Sequence, residues 1–155
     1  MIGVYFRGRG NTKYCLEKFI DLYDTNAEIT ALEDACTLEK ISRHQDIIFA
    51  YPIYYSNLPK ILRDFIQENP MVWRGKRIFI IATMGLFSGD GAGVSARLFK
   101  NYGAHIWEGL HIKMPDCICN VKTLKRAPAH NRQIVARTGK SIELAVSNLK
   151  KWYST

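Results

Sequence analysis

Val4-Tyr5-Phe6-Arg7-Gly8-Arg9-Gly10-Asn11-Thr12-Lys13-Tyr14 contains the change of rhythm that decides the fold. An apolar run, Ile2 to Phe6, stops at Arg7-Gly8-Arg9-Gly10. Asn11 and Thr12 then open a segment in which Leu16, Phe19, Ile20 and Tyr23 recur at helical spacing. The pattern predicts a strand, a glycine-bearing turn and a helix. Such a turn presents backbone N–H groups at a helix N-terminus, where the helix dipole favours negative charge, so it suits a phosphate. Gly8 and Gly10 permit backbone angles closed to other residues and let a ligand approach the main chain. The same turn also serves many α/β proteins as a plain reversal of direction. It is not a dinucleotide fingerprint, because Lys13 stands where the third glycine of G-x-G-x-x-G would fall, and it lacks the spacing of a Walker loop.

Working outward, Asp46 to Tyr51 is apolar without alternation, as expected of a strand covered on both faces. Pro52 ends it, and the loop Ile53-Tyr54-Tyr55-Ser56-Asn57 follows. Asn57 is placed to cap a helix with Pro59 in its first turn and a stripe of Leu58, Ile61, Leu62, Phe65 and Ile66. A third strand, Ile78 to Thr83, leads into Met84-Gly85-Leu86-Phe87-Ser88-Gly89-Asp90-Gly91, then a helix bearing Val94, Leu98 and Tyr102 and closed by Gly103. Glu28 to Thr30 reads as a brief edge strand, Leu38 to Arg43 as a short helix and His105 to Met114 as a last strand. Pro115 to Asn131 reads as an irregular loop with Lys122, Lys125, Arg126 and His130. A final helix carries Ile142, Ala145, Val146, Leu149 and Tyr153 on one face.

Strands alternating with helices imply a parallel sheet with right-handed crossovers and helices on both faces. The expectation is one α/β domain over residues 1–155, with five strands in the order 2-1-3-4-5. In such sheets a ligand sits beyond the carboxyl ends of the strands, where the strand order reverses. The loops after Phe6, Tyr51 and Thr83 all lie at that edge.

Composition bounds the possibilities. With 155 residues, 47% of them hydrophobic, the chain can bury one substantial core, which argues against disorder. No stretch approaches the roughly 18 apolar residues of a membrane span, and the N-terminal apolar run is too short for a signal peptide, so the expected compartment is the cytoplasm. Cys15, Cys36, Cys117 and Cys119 lack metal or iron–sulfur spacing, and His44, His105, His111 and His130 form no ligand set. The formal charge of +8 suggests an anionic ligand, an acidic partner or nucleic acid, or simply a solvated basic face.

Gly10-Asn11-Thr12 resembles the Gly-Asn-Thr of the flavodoxin phosphate loop, where Arg7 and Arg9 replace the usual hydroxyl residues. Tyr51-Pro52-Ile53-Tyr54, Asn57-Leu58-Pro59 and Thr83 to Gly91 followed by Ala96-Arg97-Leu98 also look like flavodoxins. They are similar in particular to the flavodoxin domain that anaerobes fuse to a two-cluster ferredoxin. No C-x-x-C-x-x-C run occurs, so the ferredoxin domain is not expected. The resemblance implies a flavodoxin-like three-layer fold and non-covalent FMN, cycling between oxidised, semiquinone and hydroquinone forms to carry electrons. It also implies a redox protein as partner, a ferredoxin or an oxidoreductase, acidic here because this chain is basic. By carry-over, Arg7, Gly8, Arg9, Gly10, Asn11 and Thr12 would hold the phosphate. Pro52, Ile53, Tyr54, Tyr55, Ser56 and Asn57 would border one side of the isoalloxazine. Thr83, Met84, Gly85, Leu86, Phe87, Gly89 and Asp90 would border the other.

Three points stay open at the level of sequence. Arg7 and Arg9 either clamp the phosphate or fill its pocket. At most one of Tyr54 and Tyr55 stacks on the ring, or both pack on the sheet. Because the loop 51–57 has no glycine, a peptide flip there on flavin reduction is expected to be costly, with Asn57 the residue most tolerant of the turned conformation. The alternatives to an electron carrier are an FMN-dependent NAD(P)H:quinone or flavin reductase, and a flavin-free basic binding module on the same scaffold.

Overall fold

The computed structural model describes residues 1–7, 10–85, 89–115 and 128–153. Five parallel strands form one sheet in the order β2-β1-β3-β4-β5: β1 Ile2–Tyr5, β2 Glu28–Ala31, β3 Asp46–Pro52, β4 Arg77–Met84 and β5 His105–Lys113. The helices are α1 Asn11–Tyr23, α2 Thr37–Ser42, α3 Lys60–Glu68, α4 Gly91–Asn101 and α5 Pro128–Tyr153, with a 3₁₀ turn over Pro70–Trp73. The three continuous apolar runs are therefore the three interior strands, each buried on both faces.

Alternation of side chains splits the core in two. Val4, Phe49, Tyr51, Ile78, Ile80 and Ala82 point to the side covered by α3 and α4, where Trp73 lies edge-on to Phe49 and Phe99 with ring centroids 6.1 and 4.9 Å away. Ile48, Ala50, Phe79 and Ile81 point to the side covered by α1 and α5. Buried Trp73 is satisfied by donating Nε1–H to the Ile66 carbonyl at 2.9 Å. Lys76, buried and among the described residues without a carboxylate partner, donates to the carbonyls of Ile41, Ser42 and His44 and so closes the C-terminus of α2. Removal from water lowers its pKa.

Two expectations are corrected. Asn57 does not cap α3: Pro59 holds that position, and the Asn57 side chain instead accepts from Leu58 N–H and Arg63 Nη2. The fixed φ of Pro59 sets the entry, so no side-chain cap is used. Residues 128–131, read as the end of an irregular loop, are already helical, since Pro128 is well suited to a first helical turn. Residues 116–127, with Cys117, Cys119, Lys122, Lys125 and Arg126, lie outside the described residues.

Candidate functional site

The carboxyl edges of β1, β3 and β4 and the N-terminus of α1 meet where the strand order reverses. Phe6 N–H bonds the Ala50 carbonyl at 2.9 Å, carrying the β1–β3 ladder one step past the strand. Gly8 and Arg9 lie outside the described residues. Gly10 then sits at the N-cap with φ +99°, a backbone region that strongly favours glycine, and no side chain caps the helix there. The first helical bond is Tyr14 N–H to Gly10 carbonyl, so the N–H groups of Thr12 and Lys13, in the first turn, have no acceptor within the helix. The position a Cβ would take on Gly10 is open space.

Beside these donors the Thr12 and Thr83 hydroxyls lie 2.9 Å apart, both buried. A hydroxyl carries one hydrogen and two lone pairs, so when Thr83 donates to Thr12 the Thr12 hydrogen remains free for an anion. Asn11 donates its side-chain amide to the Pro115 carbonyl at 2.8 Å, tying α1 to the end of β5. Arg7 turns elsewhere. Its guanidinium meets Asp34 at 2.9 Å and its N–H meets the Glu33 carboxylate at 3.0 Å, both in the connection after β2. That pairing was missed from sequence, although two acidic residues following a strand next to the arginine-bearing loop are a legible charge signal.

The second loop continues the β3–β4 ladder through Ile53 N–H to the Thr83 carbonyl at 2.8 Å. Tyr54 and Asn57 then exchange both backbone hydrogen bonds across a two-residue hairpin. Tyr55 (φ +49°) and Ser56 (φ +58°) occupy its centre, the pattern of a type I′ turn normally given to Asn-Gly. The left-handed positions thus belong to Tyr55 and Ser56 and not to Asn57, because the bridge fixes Asn57 as a flanking residue. Tyr55 is 102% exposed, while Tyr54 is half-buried, so the two adjacent tyrosines do diverge.

The third loop is seated on the second. Gly89 (φ +49°) lies so close to Ser56 that a Cβ would approach its Cβ and carbonyl oxygen to 2.5 Å. Gly91 packs on the Ile53 side chain, which is buried. Beneath them the Tyr51 hydroxyl reaches the Gly91 carbonyl at 3.0 Å and Ser95 Oγ at 2.6 Å. Burial pushes the Tyr51 phenol pKa up, keeping it protonated as a donor. Asp90 precedes α4 and pairs with Arg97. Met84 and Gly85 are half-buried at the rim, Pro52 is the last residue of β3, and Leu86, Phe87 and Ser88 lie outside the described residues. The result is an N–H-rich cradle at one end and two loops locked together at the other. Cys15, below the cradle, is buried and its thiol is pushed up to about 12, so it is no nucleophile at neutral pH.

This combination of a parallel 2-1-3-4-5 sheet and a glycine-capped first helix defines a flavodoxin-like fold. The chain belongs to the flavodoxin-domain family, whose sequence model matches residues 4–108. Among curated proteins no sequence matches it. The two-electron reduced flavodoxin of Megasphaera elsdenii superposes with a TM-score of 0.68 at 17% identity, covering 95% of this chain and 99% of that one. The Fusobacterium nucleatum flavodoxin bound to flavin mononucleotide gives 0.64 at 14% identity, with 97% and 96% covered. The Trp repressor binding protein of Bacillus subtilis gives 0.64 at 19% identity, with 90% and 96% covered. At these identities the likeness is one of fold.

Proposed function

We propose that this protein binds FMN non-covalently and carries electrons between redox proteins. The observation that supports this most is the side-chain-free N-cap at Gly10, whose turn leaves N–H donors beside the buried Thr12–Thr83 hydroxyl pair. Those residues fit a phosphate: the space beside Gly10 is open, no side chain caps the first helical turn, and the helix dipole favours an anion there. Bound FMN supplies the redox chemistry, accepting and releasing electrons. Thr12 and the backbone from Gly8 to Asn11 would hold the phosphate, with Arg9, and Arg7 once released from Asp34, supplying positive charge around it. Residues 52–57 and 83–90 would border the ring, and their mutual contact at Ser56 and Gly89 fixes its slot before it arrives. Left-handed Tyr55 and Ser56 support the placement, since backbone strain concentrates at ligand-binding loops.

The excess of positive charge makes an acidic redox protein the expected partner. Among the described residues no helix is long and apolar enough to cross a membrane. We place the protein in the cytoplasm, where the free thiols Cys15 and Cys36 stay reduced.

Quenching of flavin fluorescence on titration with FMN and, separately, with riboflavin tests the reading. FMN should bind about a hundredfold more tightly, because only it engages the cradle through several charge-assisted hydrogen bonds. Equal affinities, or no binding of either, would remove the proposal. Sustained NAD(P)H oxidation with a quinone would replace the carrier with a reductase.

A further inference from the structure

Helix α5 lies along α1, and an open groove of about 580 Å³ runs between them. Its wall on α1 is formed by Tyr14 and Lys18, one helical turn apart. On α5, positions 132, 135, 136, 139, 140 and 143 fall on one face, and the small Ala136 and Gly139 leave the space above them unfilled. The floor is apolar at Val135, Ala136 and Gly139, and the Tyr14 ring is partly exposed beside it. The rim is cationic. Arg132 and Lys140 stand exposed, separated by about 12 Å along the helix at 1.5 Å per residue. Lys18 crosses toward Gly139 and meets Glu143 only at 3.9 Å. Among the described residues neither Arg132 nor Lys140 has an ion-pair partner.

We propose that this groove docks an acidic polypeptide segment of a partner protein, with carboxylates spaced to reach Arg132 and Lys140 and apolar side chains between them. A small anion needs donors that converge, and these cations are too far apart to do so. Glu143 repels a backbone of closely spaced phosphates, whereas a peptide can place an apolar or basic residue beside it. The apolar floor and Tyr14 likewise offer burial to aliphatic side chains rather than to a sugar–phosphate chain. The overall charge of +8 draws an acidic segment in from a distance. Tyr14 bonds to Gly10, so a partner seated here lies next to the phosphate end of the flavin site. That the partner is a redox protein rests on the function proposed above; the groove's preference for an acidic peptide does not.

The test is fluorescence anisotropy with a labelled peptide alternating glutamate and leucine, and with labelled single-stranded DNA, each with and without FMN. Two variants are compared with the wild type. Arg132→Gln with Lys140→Gln removes two exposed charges. Gly139→Leu fills the groove while keeping every charge; its Cβ meets only the flexible tip of Lys18, and leucine favours helix. The peptide should bind the wild type in a salt-sensitive way, and each variant should weaken it about tenfold. No peptide binding by the wild type, or binding unchanged in both variants, would overturn the proposal. So would preference for DNA that the double variant abolishes and Gly139→Leu leaves intact. A chain that fails to bind FMN but binds peptide in this pattern rejects the flavin reading alone.

Discussion

Gly89 and Ser56 touch backbone to backbone: a single added carbon on Gly89 would sit 2.5 Å from the Ser56 carbonyl oxygen. The contact joins the loop after β3 to the loop after β4, and Gly89 also holds φ +49°. Gly89→Ala therefore meets two penalties, left-handed strain and a clash with main chain that cannot swing away. We expect a loss of about 2 kcal/mol or more in urea unfolding and weaker FMN binding. A variant as stable as the wild type would show that the loops separate freely.

The hairpin beneath that contact carries its own strain. Tyr55→Asn combined with Ser56→Gly installs the residues that a type I′ turn favours, and exposed Tyr55 gives up no packing. Unfolding should shift upward by about 1 kcal/mol. If Tyr55 lies over bound flavin, the same variant binds FMN less tightly despite its greater stability. Parallel melting and titration curves read the two effects separately.

Arg7 is held by Asp34 across an exposed ion pair. Asp34→Asn frees the guanidinium for an anion at α1 and should tighten FMN by about threefold, the scale of a solvent-screened charge pair. Changing both Arg7 and Arg9 to Ser should weaken FMN by at least about tenfold if they contribute charge-assisted bonds. Tighter binding by the Arg7→Ser, Arg9→Ser variant would mean that they obstruct the cradle.

At the edge of the sheet Glu28 on β2 receives Lys40 of α2 at 2.8 Å and His44 at 3.4 Å. The hydrogen bond from Lys40 is the main cause that lowers the Glu28 pKa below its usual 4.5, and the same bond raises Lys40 above its usual 10.5. A depressed carboxylate stabilises the fold above 4.5 and loses that contribution as pH falls through its folded value. The raised lysine contributes below 10.5 and loses its share as pH rises through its own folded value. The stability difference between wild type and Glu28→Gln should shrink on acidification below 4.5. A difference that grows toward acid would contradict this assignment.

The identity of the interior strands was determined by sequence, while their order was expected only as the one such an alternation suits. Unbroken apolar runs at 46–51 and 78–83 can be satisfied only by cover on both faces, and the helical stripes between them supply it. The glycine N-cap of α1 was legible for a similar reason: a glycine between strand and helix imposes a local geometry that needs no distant residue. What tertiary structure decided are contacts between segments far apart in the chain. Thr12 meets Thr83, Asn11 meets Pro115, Gly89 meets Ser56, and Asp34 takes the Arg7 charge that local reading had aimed at a phosphate. Tyr55 and Ser56 show the principle most directly. Neither residue favours a left-handed backbone, so local propensity pointed to Asn57, and the Tyr54–Asn57 bridge, the Arg63 contact and the seat of Gly89 outweigh it. Intrinsic backbone preferences are worth about 1–2 kcal/mol per residue, and several cooperating tertiary contacts exceed that.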